Sequence, residues 1–319
     1  MGYKSLILLC SGLILAGNCL AEVELRWGID EVLAHQIRIA REVKEKIEKK
    51  TNGEVRVKIE LYGEEHLKSP QKERFDIHQT IVGNYSERVP ELKIWEIPYL
   101  FQNKAHVEAY MTSSRGQATL AKIEDEKWLP INYSYAGGFL HFYSKKKISN
   151  FSDLKDASCG FAPSFGFFDS IMKPIGVMVV KEGEKENCFE ALSSEVDGIY
   201  ARGDASDFVL NLTQHRVVTR ATYISKEKLK AVGKWRNQLV DLITQGLNKE
   251  RKLVYEASDL ALSLVKNRGL QINGQSFKES IVDSNGYQKM ISKLSAEAKA
   301  EYEFIESLNT NRKLSSLSK

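Results

Sequence analysis

The strongest constraint on the fold lies in residues 23–61. Val23, Leu25 and Trp27 alternate with Glu24 and Arg26 and stop at Gly28, the two-residue period of a half-buried strand. Leu33, Ile37, Ala40, Val43 and Ile47 then recur at helical spacing among charged residues, and Thr51-Asn52-Gly53 closes the run. Val55, Val57, Ile59 and Leu61 alternate again with Arg56, Lys58 and Glu60. Strand, amphipathic helix and strand in this order demand a right-handed crossover and a parallel sheet, which places the chain in the α/β class. Ligands of open α/β sheets sit beyond the carboxyl ends of strands. Those ends here are residues 27–30 and 62–69.

Residues 1–21 are of another kind. One cation, Lys4, precedes an apolar run over 6–15 and a small residue, Ala21, as in a secretory signal peptide. The apolar run is shorter than the roughly 20 residues a membrane-spanning helix needs. Leu15-Ala16-Gly17-Asn18-Cys19 resembles a lipoprotein signal interrupted by Asn18, so lipid anchoring is the lesser expectation beside a free periplasmic protein. Removing 21 of the 319 residues, with Lys4, leaves 298 residues and a net charge of +3. That length suits two domains of ordinary size. Cys10 and Cys19 leave with the signal; Cys159 and Cys188 remain, either as a disulfide in an oxidising compartment or as two buried thiols.

Beyond residue 62 the pattern is coarser. Ser69-Pro70 predicts a helix through about residue 80. Strands are expected at 131–135 and 139–143, flanking Gly137-Gly138, and at 158–162. A short helix is expected at 187–193 and a strand at 195–200. Residues 228–266 read as helix, up to about 58 Å long if unbroken, with Gly246 a candidate kink. Further helices are expected over 277–281 and 287–308. With no low-complexity linker, the lobes are expected to be joined by crossing strands. They divide as 22–142 with about 222–258, and 143–221 with about 259–319.

Catalytic signatures are missing. The chain has no Gly-x-Ser-x-Gly, no phosphate-binding Gly-x-x-x-x-Gly-Lys, no Gly-x-Gly-x-x-Gly, no His-Glu-x-x-His and no Cys-x-x-Cys. The histidines, His35, His66, His78, His106, His141 and His215, share no metal-ligand spacing and read as surface or satisfied core residues. Glu64-Glu65 reads as a solvated loop. Lys145-Lys146-Lys147 reads as a lobe edge, and interspersed charge argues against nucleic acid. Neither an enzyme, a metal site nor a cofactor is expected.

Four segments carry a family resemblance: Leu25-Arg26-Trp27-Gly28 with Lys50 through Val55; Val89-Pro90-Glu91-Leu92 with Ile97-Pro98-Tyr99-Leu100-Phe101; Ile148 through Lys155; and Glu195-Val196-Asp197-Gly198. In order and spacing they resemble the extracytoplasmic solute-binding proteins (the P subunit, DctP-like) of tripartite ATP-independent periplasmic (TRAP) transporters. The resemblance implies two α/β lobes, a long helix spanning both, and a central cleft closing on a small molecule. Its implied partners are membrane permease subunits driven by an ion gradient and an accessory periplasmic protein. The alternative is a relative acting as a sensor or scaffold without transport.

The departures are specific. A carboxylate-binding arginine of the family falls at Gly160 or Phe161, a family asparagine near Ala201, and a second arginine near Leu140. Arg202 is either a relocated cation or a surface partner of Asp204 or Asp207. Asn84 aligns with a polar contact of relatives, as do Asp30 and Ser69. Phe139, Phe142, Phe161, Phe165, Phe167, Phe168 and Tyr200 lie in or beside the cleft segments. Loss of polar anchors among so many rings implies a hydrophobic or amphipathic ligand; the alternative for Phe142 and Phe168 is the core.

Overall fold

The computed structural model describes residues 23–30, 34–62, 74–160, 168–180, 187–193, 209–267 and 274–317. The signal segment, Ser69, Phe161, Phe165, Phe167, Tyr200, Ala201 and Arg202 lie outside the described residues, as does the strand expected at 195–200.

The βαβ unit forms as its periodicity requires. β1 (Val23–Asp30) pairs in parallel with β2 (Val55–Tyr62), from Val23 opposite Val55 to Asp30 opposite Tyr62. Between them α1 (Ala34–Lys50) buries Ile39, Ala40, Val43 and Ile47 against Leu25, Trp27, Val55 and Val57. Thr51 ends the helix, its hydroxyl donating to the Ile47 carbonyl at 2.9 Å.

The strand expected to follow as a helix is the first correction. Ile77–Ile81 is β3, parallel to β1 at Trp27 and antiparallel to β8 (Val209–Ser225). Ile77, Gln79 and Ile81 alternate, and backbone partners on both sides outweigh the Ser-Pro helix signal. The two strands expected around Gly137-Gly138 are one, β4 (Trp128–Ser144), with the glycines in a bulge. Residues 188–192, expected as helix, form β7 (Cys188–Leu192), held between β4 and β5 (Ser158–Gly160). Phe189 of β7 stacks on Tyr143 of β4 at 4.8 Å. β6 (Met178–Val179) completes a sheet ordered β2-β1-β3-β8-β4-β7-β5-β6 among the described residues.

β4 and β8 are each 17 residues long and pair antiparallel from Trp128 opposite Ser225 to Ser144 opposite Val209. They bind β3 of the first lobe on one side and β7 of the second on the other. Their register slips between Tyr135 and Phe139 and between Leu140 and Phe142. At this level Gly138 has φ +97° and Gln214 φ +46°. Buried His141 ties the crossing strands together here: its Nδ1 accepts from the Gln214 amide at 3.2 Å and its Nε2 meets Ser193 Oγ at 2.9 Å.

The helices pack on this frame. α2 (Lys104–Met111) and α3 (Ser114–Ala121) are capped by Asn103 and Ser113. The long helical stretch breaks at 232–235, giving α4 (Lys226–Ala231) and a 32-residue α5 (Arg236–Asn267) of about 48 Å. No break occurs at Gly246; its bare Cα lets α5 approach Val43 of α1. α5 runs from the first-lobe core, at Leu239, Ile243 and Leu247, to Val254 in the second cluster. Ser258 then lies against Gly138. α6 (Gly274–Val282), α7 (Asn285–Ser292) and α8 (Ala296–Leu317) follow. α8 returns to residues 90–96 and to α2, where Glu301 accepts from Tyr110 at 2.5 Å.

Cys159 and Cys188 stand opposite each other on β5 and β7, joined as a disulfide with Cα atoms 4.5 Å apart. Their sequence separation of 29 gives a loop-closure contribution of about 3–4 kcal/mol. A Cys159→Ser/Cys188→Ser variant is therefore expected to lose about that much stability in urea unfolding, as is the reduced wild type, whose intact mass gains two hydrogens. Gly138→Ala is expected to cost about 1–3 kcal/mol in the same assay. An added Cβ would combine a left-handed φ with an approach of 2.7 Å to Ser258 Oγ.

Candidate functional site

A chamber of about 480 Å³, within the range of small-ligand sites, is lined on one side by Gly83, Asn84, Ser86, Lys93 and Glu96 and on the other by Ser170, Met290, Lys293 and Leu294. The residues of the first group follow the end of β3, where the 82–85 turn and the 90–96 helical turns succeed the strand. Gly83, Asn84 and Glu96 also bound an inner notch of about 20 Å³, room for one water. Trp95, Arg216 and Thr219 close the notch. Trp95 is held by stacking on Phe101 at 4.6 Å.

β8 brings Arg216 to this wall. Its guanidinium Nη2 donates to Glu190 Oε2 at 2.9 Å. The other Glu190 oxygen lies 2.6 Å from His215 Nε2, and His215 Nδ1 lies 2.8 Å from the Thr213 hydroxyl. Burial alone would raise the Glu190 carboxyl, but the Arg216 charge and the His215 bond outweigh it and hold it below its ordinary value. Burial lowers His215 against the pull of Glu190, so a neutral ring donates from Nε2 and accepts at Nδ1. The result is a buried chain, Thr213–His215–Glu190–Arg216, that fixes the guanidinium.

The sequence-predicted site residues separate. Asn84 lines both compartments, its amide donating to Thr80 Oγ1 at 3.4 Å. Leu140 is 1% exposed and packs on Val218 with Ile81 and Leu192. It stands opposite Arg216 in the β4–β8 register. Phe139 alternates to the other face and lines a separate cavity with Gly138, Ser193, Gln214 and Ser258. Phe142 is core, stacked on His215 at 4.3 Å. Gly160 ends β5 beside Phe189. Asp30 ends β1 opposite Tyr62. Arg216, Glu190, Glu96 and Thr219 were not anticipated; they come from β8, β7 and the 90–96 turns, and nothing in local spacing marks them.

The model of the bacterial extracellular solute-binding proteins, family 7 (DctP), matches residues 34–163. That stretch of the chain is DctP-like. An uncharacterized protein of Haemophilus influenzae is 26% identical over 133 residues, 39% of this chain. The match spans 40% of that curated relative's length. A TRAP periplasmic solute-binding protein of Shewanella oneidensis, with bound succinate, superposes with a TM-score of 0.76 at 16% identity. It covers 91% of this chain and 100% of its own. The TRAP proteins of Xanthobacter autotrophicus, with β-D-galacturonate, and Desulfovibrio salexigens, with orotic acid, both score 0.72. They are 16% and 17% identical, covering 89% and 91% of this chain and 99% and 98% of their own. The fold is that of the two-lobed TRAP solute-binding proteins.

A second polar cluster lies between α1, α5 and the sheet. Glu250 of α5, 1% exposed, accepts from Gln79 Nε2 at 3.4 Å. Arg220, Gln36 and Arg251 also face it. Burial outweighs these partners and raises its pKa from 4.5 to about 7. Burial and then the Arg220 charge hold neighbouring His35 near 4. The folded chain thus keeps the Glu250 proton where the unfolded chain has lost it, so stability falls as pH rises from about 4.5 to about 7. Glu250→Gln is expected to match the wild type near pH 4 and to exceed it by about 1–3 kcal/mol at pH 8, read from urea unfolding at both pH values.

Proposed function

We propose that this chain is a periplasmic receptor of the TRAP type that closes on a small amphipathic organic acid and hands it to an ion-gradient-driven permease. The observation that carries this reading is the chamber itself, walled by separate segments of the chain and sharing Gly83, Asn84 and Glu96 with a notch that Arg216 lines, its guanidinium held by Glu190. Guanidinium matches a carboxylate in two parallel hydrogen bonds. Met290, Leu294 and Ile97 give the chamber an apolar share for the rest of the ligand. The three TRAP relatives hold succinate, galacturonate and orotic acid, which supports an acid. The apolar share supports a bulkier or more hydrophobic member of that class. The 159–188 disulfide suits an oxidising compartment, and the left-handed backbone of Gly138 and Gln214 suits lobe closure.

The test is thermal unfolding with those three acids, with branched-chain and aromatic acids, and with medium-chain fatty acids. A ligand at a hundred times its Kd is expected to add about 2.7 kcal/mol of stability and to shrink the radius of gyration in solution scattering. A protein that responds to no small acid, and whose gene lies apart from permease genes, would instead be a sensor or scaffold.

A further inference from the structure

The cavity that Phe139 lines has a volume of about 380 Å³, again of small-ligand size, and shares no lining residue with the chamber or the notch. Two left-handed backbone positions on paired strands line it, Gly138 of β4 at φ +97° and Gln214 of β8 at φ +46°. A glutamine in that region is strained, and strain of this kind is kept where the surroundings over-determine it, as at ligand sites. The Gln214 backbone amide is committed to buried His141 at 3.2 Å, while the residue itself is exposed at the cavity.

The lining also limits the charge of an occupant. Lys104 and Asp259, the two charged side chains among the described lining residues, pair with each other, and Lys104 also donates to the Tyr255 carbonyl at 2.9 Å. A charged molecule would have to break that pair or lie beside neutral groups, at a desolvation cost either way. Asn103 caps α2, its Oδ1 accepting from the His106 amide at 2.9 Å, which leaves its amide hydrogens as donors. The Gln214 side chain carries a donor and an acceptor. Phe139, Leu262 and Ala105 supply apolar surface beside them.

We infer that this cavity is a second ligand site, separate from the chamber, and that it takes a small neutral polyol such as a monosaccharide. Hydroxyls both donate and accept, which suits the two amides of Asn103 and Gln214. The C–H face of a sugar ring suits Phe139 and Leu262. The Lys104–Asp259 pair stays intact beside such a molecule. This assignment stands apart from the receptor reading above, which rests on the chamber.

The probes are D-glucose, D-galactose and myo-inositol, with D-glucosamine and D-glucuronate as cationic and anionic forms of one ring. Each is titrated into the full mature protein while backbone amide shifts are followed by NMR. At least one neutral probe is expected to shift the Gly138, Ser193 and Gln214 amides saturably. At those amides the charged forms are expected to bind about 10-fold more weakly or worse. Ala105→Trp, at an exposed position on the rim, is expected to abolish the shifts at Gly138 and Ser193 with unfolding still cooperative. Gln214→Gly, which keeps the left-handed backbone and removes the side-chain amide, is expected to weaken binding several-fold. No shift with any neutral probe, or shifts confined to Gly83 and Asn84 of the chamber, overturns the second site, as does binding that survives Ala105→Trp. Charged forms that bind there as tightly as glucose overturn the neutral class. The receptor reading survives each of these results and falls only by its own acid titrations.

Discussion

Two 17-residue strands, β4 and β8, pair antiparallel along their length, and the remaining architecture hangs from that ladder. β3 and the βαβ unit extend it on one side, and β7, β5 and β6 on the other. The chain therefore makes one eight-stranded sheet among the described residues, with both lobes sharing its two central strands. Those strands carry the register slips and, at Gly138 and Gln214, left-handed residues. His141 is the tie at that point; burial holds its pKa near 3, so it stays neutral and keeps both hydrogen bonds.

The same ladder decides where charge is buried. Arg216 and Glu190 come from strands on either side of β4, 26 residues apart in sequence, and meet across it. A buried ion pair stabilises little on balance, because desolvating both ions offsets their attraction. What it supplies is orientation. With one carboxylate oxygen on Arg216 and the other on His215, the guanidinium has one position at the cleft wall. The Glu250 cluster differs in that burial dominates its surroundings.

Of the residues on the chamber wall, Asn84 alone was singled out in the sequence as a contact, through its alignment with a polar contact of relatives; the segment before it, expected as helix, is β3. The aromatic residues were a weaker guide. Phe139 and Leu140 were grouped as cleft residues, yet adjacent residues of a strand point to opposite faces. One lines the cavity beside Gly138 and Ser258, and the other packs on Val218.

What the sequence determined alone is the βαβ unit and most of the long α5, because a period of 2 or 3.6 is a local property of consecutive side chains. It misjudged 188–192, where Cys-Phe-Glu-Ala-Leu carries no strong period and hydrogen bonds from β4 and β5 make the strand. The continuity of β4 through two glycines and the opposition of Leu140 and Arg216 belong to tertiary structure alone. Register between segments some 75 residues apart is set by backbone pairing and shared burial, and neither leaves a mark on the spacing of residues within one strand.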